Sequence, residues 1–188
     1  PLAWSTSLVQ SILENPDFRK KMKKPQDLTN RCTGYPIVTN SKFPWLWNVV
    51  QENPFQTDLI FWIDGGISRF WKGTNPVLSC PHPNLLKLLR DKKKIFAQIG
   101  GFQESFIQNA FQGLRLPEED IVGANPSYIM GGFFGGTLDC MKQLCEESMI
   151  LYIREMIQKQ RIDHDQAALF WFFQNHLDKF LLFPPHPT

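Results

Sequence analysis

Three clusters in this chain combine residue types and spacings that can do chemistry. The first is Trp62-Ile63-Asp64-Gly65-Gly66. A carboxylate leaving the end of a buried strand can hold a hard cation such as Mg²⁺ or Mn²⁺, and neighbouring glycines let backbone and ligand approach closely. An Asp-Gly turn without chemistry has the same sequence. The second is Gly131-Gly132-Phe133-Phe134-Gly135-Gly136, followed by Thr137. Two glycine pairs around two aromatics, just before a helix, leave room for a bulky ligand at a helix N-terminus that can receive an anion. Tight strand–helix packing would use the same residues. The tract is neither a Walker loop nor G-x-G-x-x-G. The third is Asp163-His164-Asp165-Gln166. These groups can ligate a metal or act as a base, or they can simply start a helix, with Asp163 as N-cap and Gln166 three residues on. His82, His176 and His186 lie beside prolines or near the tail and read as exposed and inert. No G-x-S-x-G is present, which disfavours a serine hydrolase.

The elements that must position these clusters can be read from periodicity. Leu2 to Met22 reads as a helix ending in Lys20, Lys21, Lys23 and Lys24, cations that suit a helix C-terminus. Ile37-Val38-Thr39 reads as a short strand and Ser41 to Gln51 as a helix stopped by Asn53-Pro54-Phe55. Leu59-Ile60-Phe61-Trp62-Ile63 is a continuous apolar run that predicts a central strand buried on both faces, ending at Asp64. Asn84 to Arg90 predicts a helix, Ile95 to Ile99 a strand and Ser105 to Gln112 a helix. Tyr128-Ile129-Met130 predicts a strand running into the glycine tract as a loop. Thr137 then caps a long helix to about Gln160, with Leu138, Met141, Cys145, Met149, Tyr152 and Met156 on one stripe. Ala167 to about Asn175 predicts an apolar aromatic helix. Strands separated by helices imply an α/β fold with a mixed or parallel sheet, whose ligands sit beyond strand ends.

Composition sets the outer limits. Lys plus Arg number 20 against 18 Asp plus Glu, so the net charge is +2, and this argues against a dedicated nucleic-acid surface. No apolar run approaches the roughly 18 residues of a membrane helix. The 188 residues fit a single domain. Cys32, Cys80, Cys140 and Cys145 form no C-x-x-C pair and read as buried or half-buried thiols. The absence of a usable N-x-S/T sequon leans towards the cytoplasm. A Golgi lumen is the alternative for a eukaryotic chain missing an N-terminal anchor.

The clusters, in order, resemble the HtrL/WlaTC-type glycosyltransferase family. The matching segments are Ser41-Lys42, Asn53-Pro54-Phe55, Phe61 to Gly66, Gly131 to Gly136 and Asp165-Gln166, within a family-like core over residues 35–183 that follows a divergent helical segment over 1–34. The resemblance implies a GT-A-like mixed sheet flanked by helices. An early nucleotide-binding strand is missing, so the chain reads as short for that fold. It implies transfer of a sugar from a nucleoside-diphosphate donor to a hydroxyl acceptor on a glycan or other molecule. Asp64 would take the diphosphate and the Mn²⁺ or Mg²⁺ ion, with His164 completing the metal shell. Gly66 stands where a second metal-binding Asp is usual. Asp165 would be the base, with Gln166 on the donor sugar. Lys42 would hold phosphate, Trp62 and Phe134 would stack on a sugar ring, and Gly65, Gly66, Gly131, Gly132, Phe133, Gly135 and Gly136 would shape the pocket. The rival expectation is a non-catalytic carbohydrate- or nucleotide-binding module that kept the fold.

Overall fold

The computed structural model describes residues 16–17, 35–65, 83–100, 104–122, 129–159, 161 and 163–183. Apart from Pro16 and Asp17, which are helical, the expected first helix lies outside those residues, as do its lysines, Gly66, Cys32, Cys80, His82 and His186.

In chain order the elements are α1 (Tyr35–Asn40), α2 (Lys42–Glu52), β1 (Leu59–Ile63), α3 (Pro83–Lys92), β2 (Ile95–Ile99), α4 (Glu104–Phe111), α5 (Glu118–Ile121), β3 (Ile129–Thr137), α6 (Leu138–Leu151), a π-helical stretch (Tyr152–Gln158), α7 (Asp165–Asn175), a short 3₁₀ turn (Leu177–Lys179) and β4 (Phe180–Phe183). The sheet is mixed, in the order β1-β3-β2-β4. β3 runs antiparallel to both β1 and β2, and β4 runs parallel to β2.

Helices cover both faces. On one face Phe43, Leu46 and Val50 of α2, Met141, Leu144 and Cys145 of α6 and Leu169 to Phe173 of α7 pack on Ile60, Ile95, Ala97 and Phe134. On the other, Leu85, Leu86 and Leu89 of α3 meet Leu59, Phe61, Phe96, Phe133 and Leu181. Helix α7 is buried nearly all round, which explains its unbroken apolar sequence. The mixed α/β expectation therefore holds, with the strand–helix alternation as its visible cause.

Three expectations change. Ile37-Val38-Thr39 lies in helix α1, not a strand. Pro36 is tolerated in a first helical turn, and Thr39 and Asn40 are buried. The Leu59–Ile63 run is not central: among the described strands β1 is an outer one, buried at Leu59 and Ile60 and open at Ile63. The glycine tract is not a loop. It is the body of β3, one of the two inner strands, paired with β1 on one side and β2 on the other.

The glycines are what make that strand possible. A Cβ on Gly136 would lie 2.4 Å from the Lys94 carbonyl oxygen, and one on Gly135 would lie 2.5 Å from the Ile60 carbonyl oxygen. Glycine inside a strand commonly marks such a close approach or a bulge. A bulge is also present: from Ala97–Phe134 to Ile99–Ile129 the register advances two positions on β2 and five on β3. That odd excess of three turns Ile129 to the same face as Phe134, and both are fully buried in the main core.

Candidate functional site

The three chemical clusters meet at one end of the sheet. Helix α2 stops at Asn53, which adopts a left-handed conformation and donates its N–H to the Val49 carbonyl. The Asn53 side chain then bonds both backbone groups of Thr57, turning the chain into β1. β1 ends at Asp64, whose N–H donates to the Gly132 carbonyl at 2.9 Å. Antiparallel pairing thus sets Asp64 beside the first glycine pair of β3.

Lys42 joins the clusters. It opens α2, a poor place for a cation, because a helix N-terminus carries partial positive charge. Two carboxylates offset that cost. Its Nζ lies 2.7 Å from Asp165 Oδ2, 3.0 Å from the Asp64 carboxylate and 3.0 Å from the Gly131 carbonyl oxygen. An ammonium has three N–H donors, and here three acceptors meet it. Lys42 is buried, as is Asp165, while the Asp64 side chain is 39% exposed. Asp165 sits in the first turn of α7, where the helix dipole favours a carboxylate.

Gly131 is fitted to this ion pair. A Cβ there would lie 2.1 Å from Asp165 Oδ2 and 2.9 Å from its Cγ. Any other residue would have to displace the carboxylate that Lys42 holds. Gly132 faces Asp64 instead, at an ordinary 3.6 Å, and Gly65 has open space around it.

Aromatic groups border the exposed carboxylate. The Trp62 indole N–H donates to Asp64 Oδ1 at 2.6 Å, and Lys42 Nζ lies 5.6 Å from the centre of a Trp62 ring. Trp45 of α2 stacks on Trp62, with ring centroids 6.2 Å apart and planes 21° from parallel. Trp45 is 53% exposed.

Several expected roles shift under this geometry. Asp64 and Asp165 do converge, but through one buried ammonium. Asp165 is the sealed carboxylate and Asp64 the open one. Lys42 is not a surface lysine: it is buried, and its three donors meet acceptors within the protein. Phe134 is fully buried and presents no face to a ligand. Phe133 points to the opposite face of the sheet, against Phe61 and Phe96. Gly135 and Gly136 serve strand pairing rather than a pocket.

The third cluster also starts its helix differently. His164, not Asp163, is the N-cap of α7, and its Nδ1 accepts from the Gln166 backbone N–H at 3.3 Å. That bond places the proton of a neutral ring on Nε2. Asp163 is buried, its Oδ1 accepting from the His164 N–H. The Asn40 side-chain amide donates to the Asp163 carbonyl and ties α1 to this turn. Thr137 occupies the N-cap position of α6, yet its hydroxyl makes no capping bond. His176 is half-buried and pairs with Glu147 at 2.8 Å rather than standing inert.

The donors do not fit a metal site built from protein groups. Lys42 and Trp62 each donate to one Asp64 oxygen, and the nearest second carboxylate, Asp165, is turned to the same ammonium. His164 is buried and spends one ring nitrogen on the helix cap. Among the described residues no group of three or more His, Cys, Asp or Glu side chains could hold a metal ion. The cation joining the two carboxylates is the Lys42 ammonium.

Sequence reading missed Trp45, whose place as the fourth residue of α2 looks like ordinary amphipathic filler. It also missed the buried Glu155 in the π-helical stretch. Glu155 pairs with Arg154, Lys159 and Arg161, and Arg154 also bonds Glu118. Burial pushes the Glu155 carboxyl up, but hydrogen bonds from Glu118, Lys159 and Arg154 outweigh it and hold it at about 2. Burial and a hydrogen bond with Glu155 push Glu118 up, against the pull of Arg154.

A family model named HtrL_YibB, described as a bacterial protein of unknown function, matches residues 7–183. No curated protein and no solved structure matches the chain. Among the described residues, no helix is long and apolar enough to cross a membrane.

Proposed function

The chain belongs to the HtrL_YibB family, and we propose that it is a glycosyltransferase of GT-A-like architecture acting at the Asp64 end of the sheet. The observation that carries this reading is a solvent-open carboxylate, fixed by a buried lysine and an indole N–H, beside a stacked tryptophan pair. An ionised carboxylate only accepts hydrogen bonds, which suits the hydroxyls of a sugar. Tryptophan offers a flat apolar surface for the C–H face of the same ring.

In the proposed reaction Asp64 takes the proton of the acceptor hydroxyl. That oxygen bonds to the anomeric carbon of the donor sugar, and the nucleoside diphosphate leaves with the bonding electrons. Lys42 and Asp165 are positioning residues: they fix the Asp64 carboxylate and do not touch substrate. A positioned general base of this kind contributes about 10²–10⁴-fold to rate.

A second reading, a non-catalytic carbohydrate-binding module, is favoured by a specific feature. The site cluster holds two carboxylates and one ammonium, and that ammonium has no donor left for a departing diphosphate. Incubation with UDP-glucose, UDP-N-acetylglucosamine and GDP-mannose, with and without Mn²⁺, separates the two. Release of nucleotide by the wild type and its loss in Asp64→Asn supports transfer. Equal release by both proteins, or none above buffer, leaves only the binding module.

A further inference from the structure

We propose that the exposed indole of Trp45, stacked on Trp62, is the platform for a pyranose ring of an uncharged glycan, with Asp64 accepting hydrogen bonds from its hydroxyls. In calling this the acceptor side, the proposal rests on the transfer reading. The binding itself does not require a donor and can be measured without one.

The two indoles lie within 21° of parallel, and the outer one is 53% exposed despite its size. Such a surface is costly to leave in water, and most tryptophans are largely buried. It is not a bare apolar patch, because a 39% exposed carboxylate adjoins it through the Trp62 N–H. Small-molecule sites commonly join an aromatic wall to a few fixed polar groups of this sort.

The charge around the platform selects among ligands. Two carboxylates against one ammonium leave the cluster net negative, which disfavours a nucleotide base carrying its phosphate. The cation–π position on Trp62 is already filled, with Lys42 Nζ 5.6 Å from a ring centre, and competition by tetramethylammonium tests the Trp45 face. A neutral ring with an apolar face and a rim of hydroxyl donors satisfies both the indoles and Asp64.

The test is isothermal titration calorimetry of the whole chain with maltohexaose, cellohexaose, chitohexaose and mannohexaose, without any nucleotide sugar. The proposal expects at least one to bind at about millimolar Kd or tighter. Trp45→Ala should weaken that binding by about tenfold or more, and Trp45→Phe should restore most of it. Phe55→Ala removes another exposed ring, 85% exposed, and should change nothing. Because Trp45 is exposed, the melting temperature of Trp45→Ala should stay near that of the wild type. Absence of binding by every oligosaccharide overturns the proposal, as does equal binding by Trp45→Ala. Displacement of the bound glycan by millimolar tetramethylammonium would also overturn it, by showing a cation seat. Glycan binding without nucleotide release would keep this proposal and sink the transfer reading, and the reverse pair of results would do the opposite.

Discussion

Replacing Lys42 with Met should be among the most damaging single changes to the fold, and the damage should be largely reversible by a second substitution. Asp165 is buried and its Oδ2 lies 2.7 Å from Nζ. At an effective dielectric of about 20, two unit charges at 2.7 Å attract by about 6 kcal/mol, much of it offset by the desolvation of both groups. Deleting the cation leaves that desolvation cost unopposed on Asp165, an effect of about 3–5 kcal/mol. Asp64 should add little, because water can still reach it. Asp165→Asn in the Lys42→Met background removes the stranded charge and should recover about half the loss or more. Urea unfolding of the wild type, both single variants and the double variant gives the coupling directly. Additive losses within about 0.5 kcal/mol, or a Lys42→Met loss below about 1 kcal/mol, would refute the claim that this pair is a buried, interdependent unit.

The glycines of β3 give a graded prediction. Gly131→Ala places Cβ 2.1 Å from Asp165 Oδ2 and should cost about 2–4 kcal/mol, eased when combined with Asp165→Ala. Gly136→Ala meets the Lys94 backbone carbonyl and should not be eased by that change, whereas Gly65→Ala, with nothing within 4 Å, should be nearly neutral. Melting temperatures of the three glycine variants, of Asp165→Ala and of its combinations with Gly131→Ala and Gly136→Ala check the ranking. The Glu155 carboxyl, held at about 2 in the fold, contributes stability that is present above its unfolded value and lost as pH falls from about 4.5 towards 2. Glu118 is shifted upward, so its contribution has the opposite sign, being lost as pH rises through its folded value. Glu155→Gln should therefore flatten the acid limb of a plot of melting temperature against pH, and an unchanged limb would show that other carboxylates set it. Buried Cys145, its thiol pushed up to about 12 chiefly by burial, should react with a disulfide reagent only on unfolding, as thiol release followed against urea would show.

The fold class was legible because its signals are local. The apolar runs at Leu59 to Ile63 and Ile95 to Ile99 are strands, and the stripe from Leu138 marks α6. What escaped was set by tertiary contact. Ile37-Val38-Thr39 has strand-like residues, yet helix α1 places Asn40 against the start of α7. The glycine tract gave no period to read, and its strand identity depends on neighbours that approach too closely for side chains. Asp64, Asp165 and Gly131 were visible as types at plausible strand and helix ends. Their joining by Lys42 was not, since Lys42 lies 123 positions from Asp165 in the chain and reads as a surface cation. A lysine at the first position of a helix breaks the dipole preference, and that local misfit was the available clue.

The central claim is that Asp64 is the working carboxylate of this site and that Lys42 and Asp165 hold it in place. Nucleotide release and product formation by Asp64→Asn, measured with whichever sugar nucleotide the wild type uses, test it most directly. The account predicts a fall of about 10²–10⁴-fold in kcat with the melting temperature nearly unchanged. Turnover within about threefold of the wild type, in a variant that remains folded, would contradict it.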